Sequence, residues 1–230
     1  MVIPDTLVNE TTILALVAVV VVLLLQYFTG YFGSSSLDKE DAVRRVITVD
    51  RRSVEKYDGP AEKSQIIRAL ECAIAAPNHW LSEPWRFRLL GPKGKEKLGE
   101  LADKFKSTGS FGSVPDFLVV SIAPIKARNG KTADFESWNV NALEDHAACA
   151  CAVQNFMLAC ASMGLATKWM TGKMGIAGNS ILAECCGVSE DKGEHYMGTI
   201  LIGVPAVPTH TMTMPVREIG LNEPVFVQCD

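Results

Sequence analysis

The stretch Glu144–Leu165, EDHAACACAVQNFMLACASMGL, decides how the chain reads. After Glu144, Asp145 and His146 it is almost wholly small or apolar, and a helix apolar on every side is a buried one. It has no flanking basic residues and runs into Gly164 and a polar turn, so it reads as a central core helix rather than a membrane span. Outward from it, helices and strands alternate. Asp38–Asp50 predicts a helix with Leu37, Ala42, Val43, Val46 and Ile47 as its stripe. Asp58-Gly59-Pro60 is a turn, and Ala61–Ala76 an amphipathic helix burying Ile66, Ile67, Leu70, Ala73 and Ile74. Trp85–Leu90 alternates Trp85, Phe87 and Leu89 with Arg86 and Arg88, a strand pattern. Pro92–Ser107 is a charged helix with Leu98, Leu101 and Phe105 inward. Asp116–Ala123 reads as a strand buried on both faces. Lys168-Trp169-Met170 is a short strand, Ala177–Cys186 a helix closed by Gly187, Tyr196–Val204 a buried strand, and His210–Asp230 an extended tail. Such a series is α/β or α+β around one sheet.

The 230 residues are 48% hydrophobic and 21% charged, which excludes a disordered or collagen-like chain. A net charge of −4 argues against a nucleic-acid partner, which calls for a basic face. Seven cysteines, an odd number mostly within helical or apolar segments, read as small buried hydrophobes rather than a disulfide framework.

The excess of apolar residues is local. Thr11–Phe28 has one strongly polar member, Gln26, and Tyr27, Phe28, Tyr31 and Phe32 cluster at its end, as at a membrane interface. Met1–Glu10 contains Asp5 and Glu10 but no Lys or Arg, unlike the start of a cleaved signal peptide. The expectation is a retained single-pass anchor over residues 1–36, with Gly33-Ser34-Ser35-Ser36 as linker, and a globular domain over 37–230. Lys39, Arg44 and Arg45 place that domain on the cytosolic side.

Three groups could carry chemistry. Arg51-Arg52-Ser53 offers two guanidinium forks and a hydroxyl, suited to a phosphate, although a solvated basic patch has the same appearance. Pro77-Asn78-His79-Trp80-Leu81-Ser82-Glu83-Pro84-Trp85 is a rigid, polar and aromatic connector between a helix and a strand, the kind of loop on which sites are built. Trp169-Met170-Thr171-Gly172 is a strand end opening into a glycine-containing loop, where backbone N–H groups can face a ligand. His146, Cys149 and Cys151 do not read as metal ligands, because Cys149 and Cys151 point to nearly opposite sides of a helix. Neither a phosphate-binding P-loop nor a dinucleotide-binding glycine fingerprint is present.

In order and spacing these features resemble the nitroreductase family of flavoproteins. Arg51-Arg52-Ser53 is followed by a helix ending in Ala75-Ala76-Pro77 and by Glu83-Pro84-Trp85-Arg86-Phe87 entering a strand. Ala152–Ala159 with Met163-Gly164-Leu165-Ala166 is similar to the family's central helix and its turn, and Ile202-Gly203-Val204-Pro205 to its last strand. The resemblance covers about residues 45–208 and is nearest to the small, minimal members. It implies an α+β fold: a central mixed sheet flanked by helices around a buried helix, in a homodimer with two FMN molecules at the interface. By match, Arg51, Arg52 and Ser53 hold the FMN phosphate and ribityl chain. His79 contacts the flavin from one side, within its own chain or across the dimer, and Trp169, Met170, Thr171 and Gly172 line it from the other subunit or side. Leu81 and Glu83 stand where many members carry Asn and Gln, so neither offers the amide donor usual there.

The activity so implied is ping-pong electron transfer from NAD(P)H through FMN to a nitroaromatic, a quinone or a similar small acceptor. The flavin performs the redox chemistry, so no acid–base pair is needed. Two other readings share the residues: a reductive dehalogenase resembling iodotyrosine deiodinase, and a membrane-anchored flavin store without turnover.

Overall fold

The computed structural model describes residues 20–21, 36–104, 113–124, 140–170 and 185–213. It divides into two compact units, Met1–Arg45 and Val46–Asp230. The first contains helix α1, Ser36–Arg45. The expected anchor, Thr11–Phe28, lies outside the described residues except for Val20 and Val21. Among the described residues no helix is long and apolar enough to cross a membrane. The expected single-pass membrane localisation with a cytosolic catalytic domain is therefore corrected, since no described element supplies the ~20-residue apolar span it requires. The stripe expected of Asp38–Asp50 is also different: Ala42, Val43 and Ile47 are exposed. The α-helix ends at Arg45, and Val46–Asp50 is a wider π-type turn closed by a bond from Arg51 N–H to Val46 O at 3.0 Å.

The second unit is built on a five-stranded sheet. Its strands are β1 (Tyr57–Gly59), β2 (Trp85–Leu89), β3 (Asp116–Ile122), β4 (Ala166–Met170) and β5 (His195–Pro205). The order is β1-β5-β3-β2, with β4 also on β5. All four strand pairings are antiparallel, and the parallel element is confined to an isolated bridge from Ser53 to Thr167. The expected mixed sheet is thus an antiparallel one. The core strands read correctly, since every residue of β3 is buried and β5 is buried from Tyr196 to Gly203.

Helices α2 (Lys63–Ile74), α3 (Pro92–Lys104) and α4 (Val140–Ser162) complete the unit. Helix α2 starts three residues beyond Pro60, where Glu62 and Gln65 form a reciprocal capping box that satisfies the first backbone donors. Helices α2 and α4 pack with Leu118, Val120, Ile122, Ile200 and Ile202 in one core. Leu98 of α3 packs with Phe117, Val119 and Leu201 in a second core. The alternating parity of the strand residues assigns these cores to opposite sheet faces.

Helix α4 is the centrepiece, with Ala148, Cys149, Ala152, Val153, Phe156 and Cys160 buried. It is not buried all round, however: Leu143, Ala147, Cys151 and Gln154 form an exposed stripe at helical spacing. Cys149 and Cys151 do face opposite ways, one buried and the other exposed. Helix α2 is rotated from the expected face, burying Ile66, Ala69 and Ala73 while leaving Ile67 and Ile74 exposed. At the end of α4, Gly164 takes φ +76°, a left-handed turn that glycine makes without steric cost, and Leu165 N–H returns to Cys160 O at 2.9 Å.

Candidate functional site

The Ser53–Thr167 bridge joins two of the three candidate groups. It is reinforced by Val54 N–H donating to Thr167 O at 3.3 Å. Arg51-Arg52-Ser53 therefore runs beside the start of β4, and Trp169 and Met170 follow on the same strand. Lys168, between them, pairs with Glu55, whose carboxyl is lowered first by that side-chain hydrogen bond and then by the lysine's charge. Thr171 and Gly172, expected to line the flavin, lie outside the described residues.

Arg52 is held against its own chain. Its Nη1 donates to Arg51 O at 2.8 Å and its Nη2 to Thr48 O at 3.0 Å. These bonds close the π-type turn and orient the guanidinium plane. Its Nε is buried and has no hydrogen-bond partner among the described residues. The same holds for Trp169 Nε1. No other buried side-chain nitrogen or oxygen among the described residues is left unpaired, which is notable because buried donors are normally satisfied. Both atoms belong to residues expected to bind the cofactor, one at each side of the Ser53–Thr167 bridge. A guanidinium N–H and an indole N–H suit a ligand that carries a phosphate and a ring with oxygen acceptors. The donor set fits FMN.

His79 lies elsewhere. It lines a cleft of about 630 Å³ with Trp80, Ser82, Arg86, Glu144 and Asp145 among its walls, and Arg51, Arg52, Ser53, Trp169 and Met170 are not among the lining residues. His79 Nδ1 is 3.5 Å from Glu144 Oε1, and its ring meets the Trp80 ring at a 5.7 Å centroid distance. Ser82 Oγ donates to Asp145 Oδ1 at 2.9 Å, and Glu83 N–H to Asn78 Oδ1 at 3.1 Å. Trp80, Leu81 and Glu83 have φ of 53°, 54° and 41°, left-handed conformations that cost non-glycine residues free energy and cluster at functional sites. They hold Trp80 and Leu81 in water, 79% and 81% exposed. Burial raises the Asp145 carboxyl, against the Ser82 bond, with the Glu144 charge adding to the rise and the His79 side chain opposing it.

The reading from sequence missed Arg86, Glu144 and Asp145 as cleft residues, although the acidic pair at the start of an otherwise apolar helix was a visible signal. It also placed Leu89 inward and Arg88 outward. Leu89 is exposed, while Arg88 Nη1 lies 2.7 Å from Glu194 Oε1. Glu194 also accepts from Ser121 Oγ and, at 3.0 Å, from Ser189 N–H. Burial pushes the Glu194 carboxyl up, but these hydrogen bonds and the Arg88 charge outweigh it and hold the group below its ordinary value.

Comparison with known proteins agrees with this architecture. Residues 48–204 match the model of the family described as "Nitroreductase family". The chain is 27% identical over 198 residues to the Bacillus subtilis (strain 168) protein named "Putative NAD(P)H nitroreductase YfhC", covering 78% of this chain and 93% of that one. The crystal structure of a nitroreductase-like family protein from Bacillus cereus superposes with a TM-score of 0.60 at 26% identity, over 76% of this chain and 90% of that one. The NADPH:FMN oxidoreductase from Vibrio harveyi, complexed with NAD+, gives 0.62 at 19% identity, over 82% and 80%, a likeness of fold. Fold and family match together define a flavin oxidoreductase. The chain belongs to the nitroreductase family.

Proposed function

We propose that the chain binds FMN beside the Ser53–Thr167 bridge and passes electrons from NAD(P)H to small acceptors. The observation that carries this reading is the pair of buried, unpartnered donors, Arg52 Nε and Trp169 Nε1. Arg51 and Arg52 hold the phosphate, Ser53 the ribityl chain, and Trp169 and Met170, continuing into Thr171 and Gly172, the ring. Bound FMN supplies two-electron exchange, with NAD(P)H as donor and a nitroaromatic, quinone or similar molecule as acceptor in ping-pong alternation. The protein's part is to anchor the phosphate, orient the ring and exclude water from it. NAD(P)H is named by the curated relative, and FMN and NADPH by the Vibrio harveyi structure.

The working unit is a homodimer. The exposed Leu143, Ala147 and Cys151 of α4 and the exposed Ile67 and Ile74 of α2 support this reading, because apolar stripes at helical spacing are suited to a second copy. His79, whose cleft does not include the residues beside the bridge, then reaches a flavin held by the partner. The test is direct. Purified full-length chain should be yellow, release FMN on denaturation and bleach on anaerobic addition of NADPH or NADH. A colourless protein that takes up no FMN overturns the proposal.

A further inference from the structure

We infer that Gly198 is a positioning residue of the cofactor site: its missing Cβ lets the Trp169 indole lie across β5 with its N–H available to an oxygen of bound FMN. The inference rests on the proposed FMN site. Gly198 sits where the β3–β5 register shifts, Val120 pairing with Gly198 and Ser121 with Tyr196. Its φ of +149° is a conformation that L side chains rarely adopt. A Cβ built there would stand 2.5 Å from Trp169 Nε1, 3.1 Å from Trp169 Cδ1 and 2.6 Å from Met170 O. The nitrogen edge of the indole therefore rests on bare backbone.

A strand has room for such a close approach only at glycine, and the register shift provides the bend that aims it. Trp169 and Thr167 are two residues apart on β4 and point to the same side, so the indole stands one step beyond the bridge that carries Arg51-Arg52-Ser53. A buried indole N–H normally finds an acceptor. Among the described residues Trp169 Nε1 has none, and an oxygen of the bound FMN ring would supply one.

The experiment compares Trp169→Phe, which keeps an aromatic ring but removes the N–H, with Gly198→Ala in the full chain. FMN affinity is read by equilibrium dialysis of apoprotein, and the Trp169 signal by near-ultraviolet circular dichroism, taking Trp169→Phe as its blank. Trp169→Phe should bind FMN about five- to tenfold more weakly, the value of one hydrogen bond. Gly198→Ala should lose at least as much and should change the Trp169 signal in apoprotein. Wild-type affinity in either variant, or a Trp169 signal that Gly198→Ala leaves unchanged, overturns the inference. If Gly198→Ala fails to fold, the affinity of Trp169→Phe decides. A wild-type chain that binds no FMN overturns the proposed function as well, whereas tight wild-type binding with an equally tight Trp169→Phe variant removes this inference alone.

Discussion

Ser82 Oγ donates to Asp145 Oδ1 at 2.9 Å, tying the strained connector to the first turns of the central helix. Burial is the main reason that the Asp145 carboxyl titrates above its ordinary value of 3.8. A group whose pKa is raised by folding contributes stability that is complete below the unfolded value and is lost as pH rises through the folded one. At neutral pH the ionised Asp145 therefore weakens the fold. Asp145→Asn keeps an oxygen for Ser82 and removes the charge. It should melt higher than wild type at pH 7, by roughly 1–3 °C, with the gap closing below about pH 4. Thermal melts across that range check it.

The Arg88–Glu194 pair has the opposite sign. Glu194 is held below its ordinary value of 4.5, so its contribution is present above that value and is lost as pH falls through the folded pKa. Arg88→Met should cost about 3 kcal/mol at pH 7, since it leaves a buried carboxylate without its cation. The loss should shrink below about pH 4, where the carboxyl is neutral. Urea melts at both pH values measure the difference.

Gly203 is tightly enclosed. A Cβ there would stand 2.6 Å from Pro115 Cγ and 2.8 Å from both Gly59 O and Tyr57 Cδ1. Gly203→Ala should destabilise by about 1–3 kcal/mol through overpacking where β1 meets β5. Denaturant midpoints at constant slope would show it.

Phe156 is fully buried in the core between α4 and the sheet. Phe156→Ala should cost about 3–5 kcal/mol. FMN affinity measured well below the melting temperature should change much less, because the side chain is assigned to packing and not to the flavin.

Arg51→Ala should weaken FMN retention by ~2–4 kcal/mol if the guanidinium pairs directly with the phosphate. Dialysis against flavin-free buffer reads this, and unchanged retention takes Arg51 out of the site.

Much of this was legible in the chain. Periodicity and apolar runs found α2, α3, α4 and strands β2 to β5, because each buries apolar side chains, whereas β1, Tyr57–Gly59, reads in the sequence as part of a turn. It failed where burial depended on neighbours distant in sequence. Arg88 turns inward because Glu194, over a hundred residues later, waits there with Ser121. The α2 face rotated toward Ala69 because small residues let α2 approach α4. Residue type identified Arg51, Arg52, Ser53 and Trp169 as candidates, but only the Ser53–Thr167 bridge puts them side by side. Gly198 had no sequence signal: its role is defined by the atoms that occupy the space where its side chain would be.

Strand β5 pairs with β1, β3 and β4, yet in the chain it comes after all of them. During synthesis, β2 and β3 can pair, across the intervening α3, before β5 is made, but among the described strands β1 and β4 pair only with β5 and wait for residues 199–205. The Ser53–Thr167 bridge, anchored through β4, must wait with them. A chain truncated before His195 should therefore fail as a whole rather than lose one edge, and the nascent protein has a long interval in which unpaired apolar strand edges need shielding.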